Sequence, residues 1–226
     1  MQIGLIAEGA SELRILKHIM GRYLGTEHDT NEIQPKTNAE GTQIVLGGWD
    51  RVITTFEFEN TVKDALVEND YVLIQIDTDQ AQTNPFSVNV LDENGQYCKP
   101  EVLHQRVSER ILNHIPNLDE GERERIILAI CISEIECWLL PIYYNDNKRC
   151  KTTGCITLLN QKLSSNKIIP LPNGNKNSAG AQKTYNTILK NLKKPKEIEE
   201  CAQYNYGFYN FIEQLKGIKT ILENEE

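Results

Sequence analysis

Glu8 ends the apolar run 2–7, Asp77 and Asp79 follow the apolar run 71–76, and Glu134 and Glu136 follow a third, 126–132. In open sheets of parallel strands, ligands gather at the carboxyl ends of the strands. All five residues stand at such an end or open the helix beyond it. Carboxylates crowded together repel one another, and some must take up protons unless a cation joins them. Mg²⁺ or Mn²⁺ suits such a set, because these hard ions accept one or two carboxylates, keep several waters and also take phosphate oxygens. A second ion would clamp both the attacking and the leaving oxygen of a phosphodiester. Each residue also has an ordinary structural use. Ser133-x-x-Glu136 is the spacing of a capping box, Asp79 suits a turn, and Glu8 suits the positive end of the helix that follows it. Repetition at three separate strand ends is what sets the group apart.

These positions presuppose elements to hold them. Leu13, Leu16 and Met20 recur at helical spacing after Ser11, which is placed to cap a helix running to about Leu24. The polar stretch 25–41 reads as loop and 43–49 as a second strand. Phe58, Val62, Ala65, Leu66 and Asn69 mark a helix ending near Asp70. The run 71–76 is the clearest strand. Residues 80–100 read as an insertion with a hairpin around Asn94-Gly95. Leu103, Val107, Ile111 and His114 place a helix before Pro116, and 126–132 is a buried strand giving way to a helix at Ser133. Strands alternating with helices predict βαβ units, hence an α/β fold of Rossmann-like type with a mainly parallel sheet flanked by helices. Beyond Asn145 short helices alternate with Asn-, Gly- and Pro-rich turns. The chain therefore divides into an α/β domain, 1–145, and a mostly helical, basic extension, 146–226, packed on it.

Glu8-Gly9-x-x-Glu12 after the first strand, with Asp77-x-Asp79 after a later one, resembles the acidic signature of Toprim domains. Glu134-Ile135-Glu136-Cys137-Trp138 is similar to a segment of small stand-alone Toprim-like proteins encoded beside ABC-type ATPases in anti-phage systems. The resemblance covers about 1–140. It implies a Toprim-like fold and a metal set drawn from Glu8, Glu12, Asp77, Asp79, Glu134 and Glu136. Glu8, Asp77, Asp79 and Glu136 would be catalytic in a metal-dependent nuclease acting on DNA or RNA, and an ABC-type ATPase would be a partner in antiviral defence. The insertion 80–100 departs from the minimal domain. Two other readings stand beside this one. In a HAD-like phosphatase Asp77 would be the nucleophile, although position 81 is Ala where that pattern wants Thr or Val. The fold would also serve a non-catalytic subunit that binds nucleic acid or a partner. The chain has no Gly-x-x-x-x-Gly-Lys-Ser/Thr loop, so any ATP dependence belongs to a partner.

The net charge of −8 conceals an asymmetry. Residues 147–196 contain no Asp or Glu and eleven of the 24 Lys and Arg, which leaves 13 cations against all 32 acids elsewhere. Solvated faces usually mix signs, so a segment of one sign points to a polyanion, and Lys and Arg contacts to phosphate dominate nucleic-acid affinity. Lys148, Arg149, Lys151, Lys176, Lys183, Lys190 and Lys193 are the candidates, interleaved with Tyr185 and the polar run from Asn173 to Gly180. An acidic partner protein would satisfy the same charge. At 39% hydrophobic and 25% charged, the composition excludes wholesale disorder. No apolar run approaches the ~18 residues of a membrane span, and the N-terminus reaches Glu8 without a basic region of signal-peptide type. Six cysteines without a Cys-x-x-Cys pair, and four histidines in no zinc pattern, are expected to be reduced thiols of a cytoplasmic protein. Self-association as a homo-oligomer is compatible with all of this. The acidic end, Glu223 to Glu226, is expected to fray.

Overall fold

The computed structural model describes residues 1–25, 28–41, 43–58, 60–172 and 176–225. Asn173, Gly174 and Asn175 of the polar run, and the terminal Glu226, lie outside the described residues. β1 (Gln2–Ile6) is followed by α1 (Ala10–Tyr23) and β2 (Asp29–Gln34). Helices α2 (Trp49–Phe58) and α3 (Thr61–Glu68) precede β3 (Tyr71–Asp77), and α4 (Pro100–His114) and α5 (Glu120–Glu124) precede β4 (Ile126–Cys131). A 3-10 helix, Ile135–Ile142, and a 3-10 turn, Asn147–Cys150, lead to α6 (Cys155–Ser165), α7 (Ala179–Leu189), α8 (Pro195–Ala202) and α9 (Tyr206–Glu225). Among the described residues, the strands form one sheet ordered β2-β1-β3-β4, and every neighbouring pair is parallel. The chain is α/β with a Rossmann-like sheet between helical layers.

β1, β3 and β4 are nearly continuous apolar runs because both of their faces are buried. Alternate residues divide between two cores. Ile3, Leu5, Leu73, Ile127 and Ala129 pack with α1, the 3-10 helix and the C-terminal helices, including Trp138, Tyr185, Phe208 and Phe211. Ile6, Val72, Ile74, Ile76, Leu128 and Ile130 pack with α2, α3, α4 and with Phe86, Val88 and Val90 of the insertion. The helices after Asn145 thus share a core with the sheet. Trp138 stacks on Phe208 at 4.7 Å and on Phe211 at 5.6 Å, which fixes the 3-10 helix against α9.

Four local expectations are corrected. The second strand is Asp29–Gln34, inside the stretch read as loop, and not 43–49. It lies at the sheet edge and needs only the backbone of β1, so one aliphatic residue, Ile33, suffices. Ile44, Val45 and Leu46, which suggested a strand, are 65%, 47% and 66% exposed. Their run is broken at Gly48, whose φ of +128° is open to glycine alone. The hairpin of the insertion is reduced to one antiparallel bridge, Leu91 with Tyr97. The N-cap of α1 is Gly9, not Ser11, whose hydroxyl instead donates to Glu12. Finally, Cys137 and Cys155 are joined in a disulfide, so the six cysteines are not all thiols, because α6 packs its first residue against the 3-10 helix with a Cα separation of 5.1 Å.

Candidate functional site

The sheet reverses its winding between β1 and β3. From β1 the chain crosses to β2 on one side, then returns to lay β3 on the other. The crevice at such a switch point is where open α/β sheets bind ligands, and Glu8 and Asp77 end the two strands that border it. The Asp77 N–H donates to Glu8 Oε1 at 2.7 Å. Between them stands Gln75, wholly buried in β3. Its carbonyl oxygen accepts from the Glu8 N–H at 3.1 Å, and its amide donates to Asp77 Oδ1 at 2.9 Å. The period of two puts Gln75 and Asp77 on one face of β3, so this polar pair forms a single ladder. Behind Glu8, the Gly48 N–H donates to its carbonyl at 2.7 Å and pins the strand end.

The ends of β3 and β4 are laced together as well. Thr78 and Asp79 both donate backbone N–H groups to the Ser133 carbonyl at 3.1 Å, and the Ser133 N–H donates to Thr78 Oγ1 at 2.8 Å. Ser133 has a φ of 68°, a left-handed conformation unusual for a side-chain-bearing residue. That kink turns the chain out of β4 and delivers Glu134 and Glu136 to the edge already holding Asp77. The capping-box use of Glu136 is absent, since the 3-10 helix begins at Ile135 with Glu134, not Ser133, as its N-cap and no side-chain cap bond. Glu136 is fully buried instead, accepting from the Tyr185 hydroxyl and from Lys176 Nζ, the latter at 2.9 Å. Lys176 also lies 3.8 Å from Glu134. Glu12, buried on the first turn of α1, accepts from Ser11 Oγ at 2.8 Å. Asp79 is exposed at the rim.

The electrostatics follow from crowding in a partly dry place. Burial, the largest influence, pushes Glu8 up to about 8. The Asp77 N–H opposes that rise, Glu12 and Asp79 add to it, and Lys176 opposes it. Asp77 is held well above the carboxylate range by burial and then by Glu8, Glu12 and Glu136. Glu12 is raised by burial and by Glu136, and Glu134 by the same two causes. Burial would lower the Lys176 ammonium, yet Glu136, Glu12 and Asp77 outweigh it and hold that charge firmly. One ammonium among six carboxyl groups leaves the cluster short of positive charge.

All six acids expected at the metal edge therefore surround one region, with Asp79 outermost. Sequence reasoning assigns Lys176 to phosphate binding, and the structure places it among the acids. Tyr185 and Gln75 escape that reasoning as members of the site. Only the polar glutamine inside an otherwise apolar strand gives any signal. Among the described residues, the one trio of ligand-type atoms within 4.8 Å of one another is Glu134, Cys137 and Cys155, and its two sulfurs are already bonded to each other. Holding one ion between Glu8, Asp77 and Asp79 thus requires their side chains to draw together.

The remaining basic candidates lie in the 3-10 turn 147–150 and its C-cap, on α7 and its cap, and between α7 and α8. Lys148 sits over the Tyr144 ring at 5.2 Å, and Arg149 stacks on Tyr204 at 3.8 Å. Lys151, Lys183, Lys190 and Lys193 are exposed. Beside the site a groove of about 790 Å³ runs between α1, β2 and α7, lined by Arg14, Lys17, His18 and Lys36 among others. Among the described residues no helix is long and apolar enough to cross a membrane. Compared with known proteins, the chain matches no family model, and no curated protein or solved structure is significantly similar to it.

Proposed function

We propose that this chain is a Mg²⁺- or Mn²⁺-dependent nuclease of the Toprim-like kind, hydrolysing phosphodiester bonds of DNA or RNA. One observation carries the reading: three adjacent parallel strands deliver Glu8, Asp77 and the Glu134–Glu136 segment to one crevice at the switch point of the sheet. The donor set fits a hard divalent ion, since it consists of carboxylate oxygens with too little compensating charge. Glu8, Asp77 and Asp79 would hold the ion, with Glu12 and Glu134 within the same cluster. Bound there, a divalent ion supplies Lewis acidity and a water of lowered pKa.

The chain's own residues supply the rest. Gln75 fixes Asp77 and the Glu8 backbone in register, so that both carboxyls face the crevice. Glu136 and Tyr185 hold Lys176, which presents a fixed positive charge where a scissile phosphate would gather negative charge. Glu136 is then occupied as an anchor, and Asp79 is the most accessible acid. A HAD-type nucleophile would be Asp77, which is buried and engaged by Gln75, an arrangement that favours metal holding over nucleophilic attack. The basic helices would carry the phosphate backbone of the substrate. An ABC-type ATPase partner and an antiviral role rest on the sequence resemblance.

The test is cleavage of single- and double-stranded DNA and RNA with Mg²⁺ or Mn²⁺, alone and beside a neighbouring ATPase. Removing an outer partner of a metal ligand typically costs about 10–100-fold, so Glu8→Ala and Asp79→Ala should each cost at least ~100-fold while leaving the fold intact. Full activity in the double variant would assign the cleavage to something other than this site.

A further inference from the structure

The disulfide lies inside the candidate site. Cys137 directly follows Glu136, and Cys155 is the first residue of α6. The next N–H of α6, that of Ile156, donates to Glu134 Oε1 at 3.2 Å. The carboxylate of Glu134 also lies within 4.8 Å of both sulfurs. The bond therefore ties the segment that carries Glu134 and Glu136 to α6, whose Ile156 N–H holds Glu134. The other four cysteines are thiols: Cys98 half-buried, Cys131 and Cys201 buried, and Cys150 exposed. Chains stabilised by disulfides in oxidising compartments tend to pair their cysteines, whereas isolated bonds in reducing ones are usually transient and redox-sensing. One bond among six cysteines, placed beside two functional glutamates, has the second character.

We propose that Cys137 and Cys155 are a reversible thiol–disulfide pair whose state sets how firmly Glu134 and Glu136 are held. As a control on metal binding, this rests on the reading given under Proposed function. Oxidation converts two protein thiols and one small-molecule disulfide into the protein disulfide and two small thiols, by two successive exchanges. Reduction by a dithiol runs the other way. One of its thiolates attacks one protein sulfur, forming a mixed disulfide and expelling the other protein sulfur as a thiolate that takes up a proton. Its second thiol then closes a cyclic disulfide and releases the attacked protein sulfur as a thiol, so two electrons and two protons pass to the protein. Both protein sulfurs are buried, so exchange proceeds through opening of the first turn of α6. Residues 151–154 ahead of it are largely exposed and offer the route. In the oxidised state the cross-link keeps Ile156 beside Glu134. In the reduced state only that hydrogen bond and packing do so, and the 3-10 helix gains freedom.

Three measurements on the full chain, equilibrated with glutathione disulfide or with dithiothreitol, decide this. Alkylation in denaturant followed by mass spectrometry should count four thiols in the first case and six in the second. Amide hydrogen exchange at Ile156 and over 134–138 should quicken at least tenfold on reduction. Calorimetric titration with Mn²⁺ should give an affinity about tenfold weaker after reduction, the scale of removing an outer partner of a ligand, and re-oxidation should restore it. The Cys137→Ala/Cys155→Ala variant should match the reduced protein, and Cys150→Ala the oxidised one. Six alkylated thiols under both conditions, or unchanged exchange at Ile156, would overturn the proposal. So would equal Mn²⁺ affinities in two states that both bind the ion. If neither state binds Mn²⁺, the metal reading fails, and hydrogen exchange still decides the switch.

Discussion

Glu136 has no access to water, and its charge is tolerable only because Lys176 and Tyr185 reach it. Deleting one partner of a buried pair strands the other, at a cost of about 3–5 kcal/mol. Lys176→Gln should therefore lower stability in urea by ~3 kcal/mol, and adding Glu136→Gln should recover most of the loss. Additive losses would mean that the two do not interact. Glu8 makes a prediction about pH. Its folded value, about 8, lies above the ordinary 4.5. Between those values the folded chain keeps a proton that the unfolded chain has released, so stability falls as pH rises through this window. Without added metal, the unfolding midpoint of the wild type should decline from pH 5 to 8 more steeply than that of Glu8→Gln, and parallel curves would contradict the assignment. Glu8, Asp77 and Asp79 are legible in the sequence because each ends an apolar run. Lys176 and Tyr185 are not, since they lie 40 and 49 residues from Glu136 and arrive only when α7 packs on α1.

At the scale of elements, β4 shows how the sheet closes one of its edges. Gln214 of α9 accepts from the Leu128 N–H at 2.9 Å and donates to its carbonyl at 3.0 Å, standing in for a further strand. Gly207 lies so close beneath the Ile130 carbonyl that a methyl group would overlap it. Gly207→Ala should cost about 1–3 kcal/mol by forced displacement, read as a lower urea midpoint, and an unchanged midpoint would show that α9 is free to shift. The three central strands can be read from the chain because burial on both faces demands unbroken apolar runs. β2 cannot, since an edge strand held by backbone bonds carries almost no side-chain signature. The exposed Ile44-Val45-Leu46 run imitates a strand that Gly47 and Gly48 prevent. The kink at Ser133 is equally hidden, because nothing in its residue type announces a left-handed backbone.

Across the whole molecule, the proposed nuclease would need the helices after Asn145 to hold its substrate against an acidic crevice. Lys183 and Lys190 are seven residues apart on α7 and its cap, hence on one face, and Lys193 follows in the next turn. Reversing these three to Glu should weaken nucleic-acid binding and flatten its salt dependence by roughly one unit of slope for each phosphate no longer neutralised. Mn²⁺ affinity should stay unchanged, because all three are exposed and none bonds a site carboxylate. Lys176 cannot be used in this test, since reversing it would disturb the crevice itself. The charge asymmetry of 147–196 is visible in the sequence, but the recruitment of one of its lysines into the acidic cluster requires the fold. The claim on which the rest depends is that this cluster takes a divalent ion, and calorimetric titration with Mn²⁺ tests it most directly. Wild-type protein should bind the ion with release of protons at pH 7, and Asp77→Ala, with its secondary structure intact by circular dichroism, should show no binding. Equal binding by the variant, or none by the wild type under any condition, would contradict it.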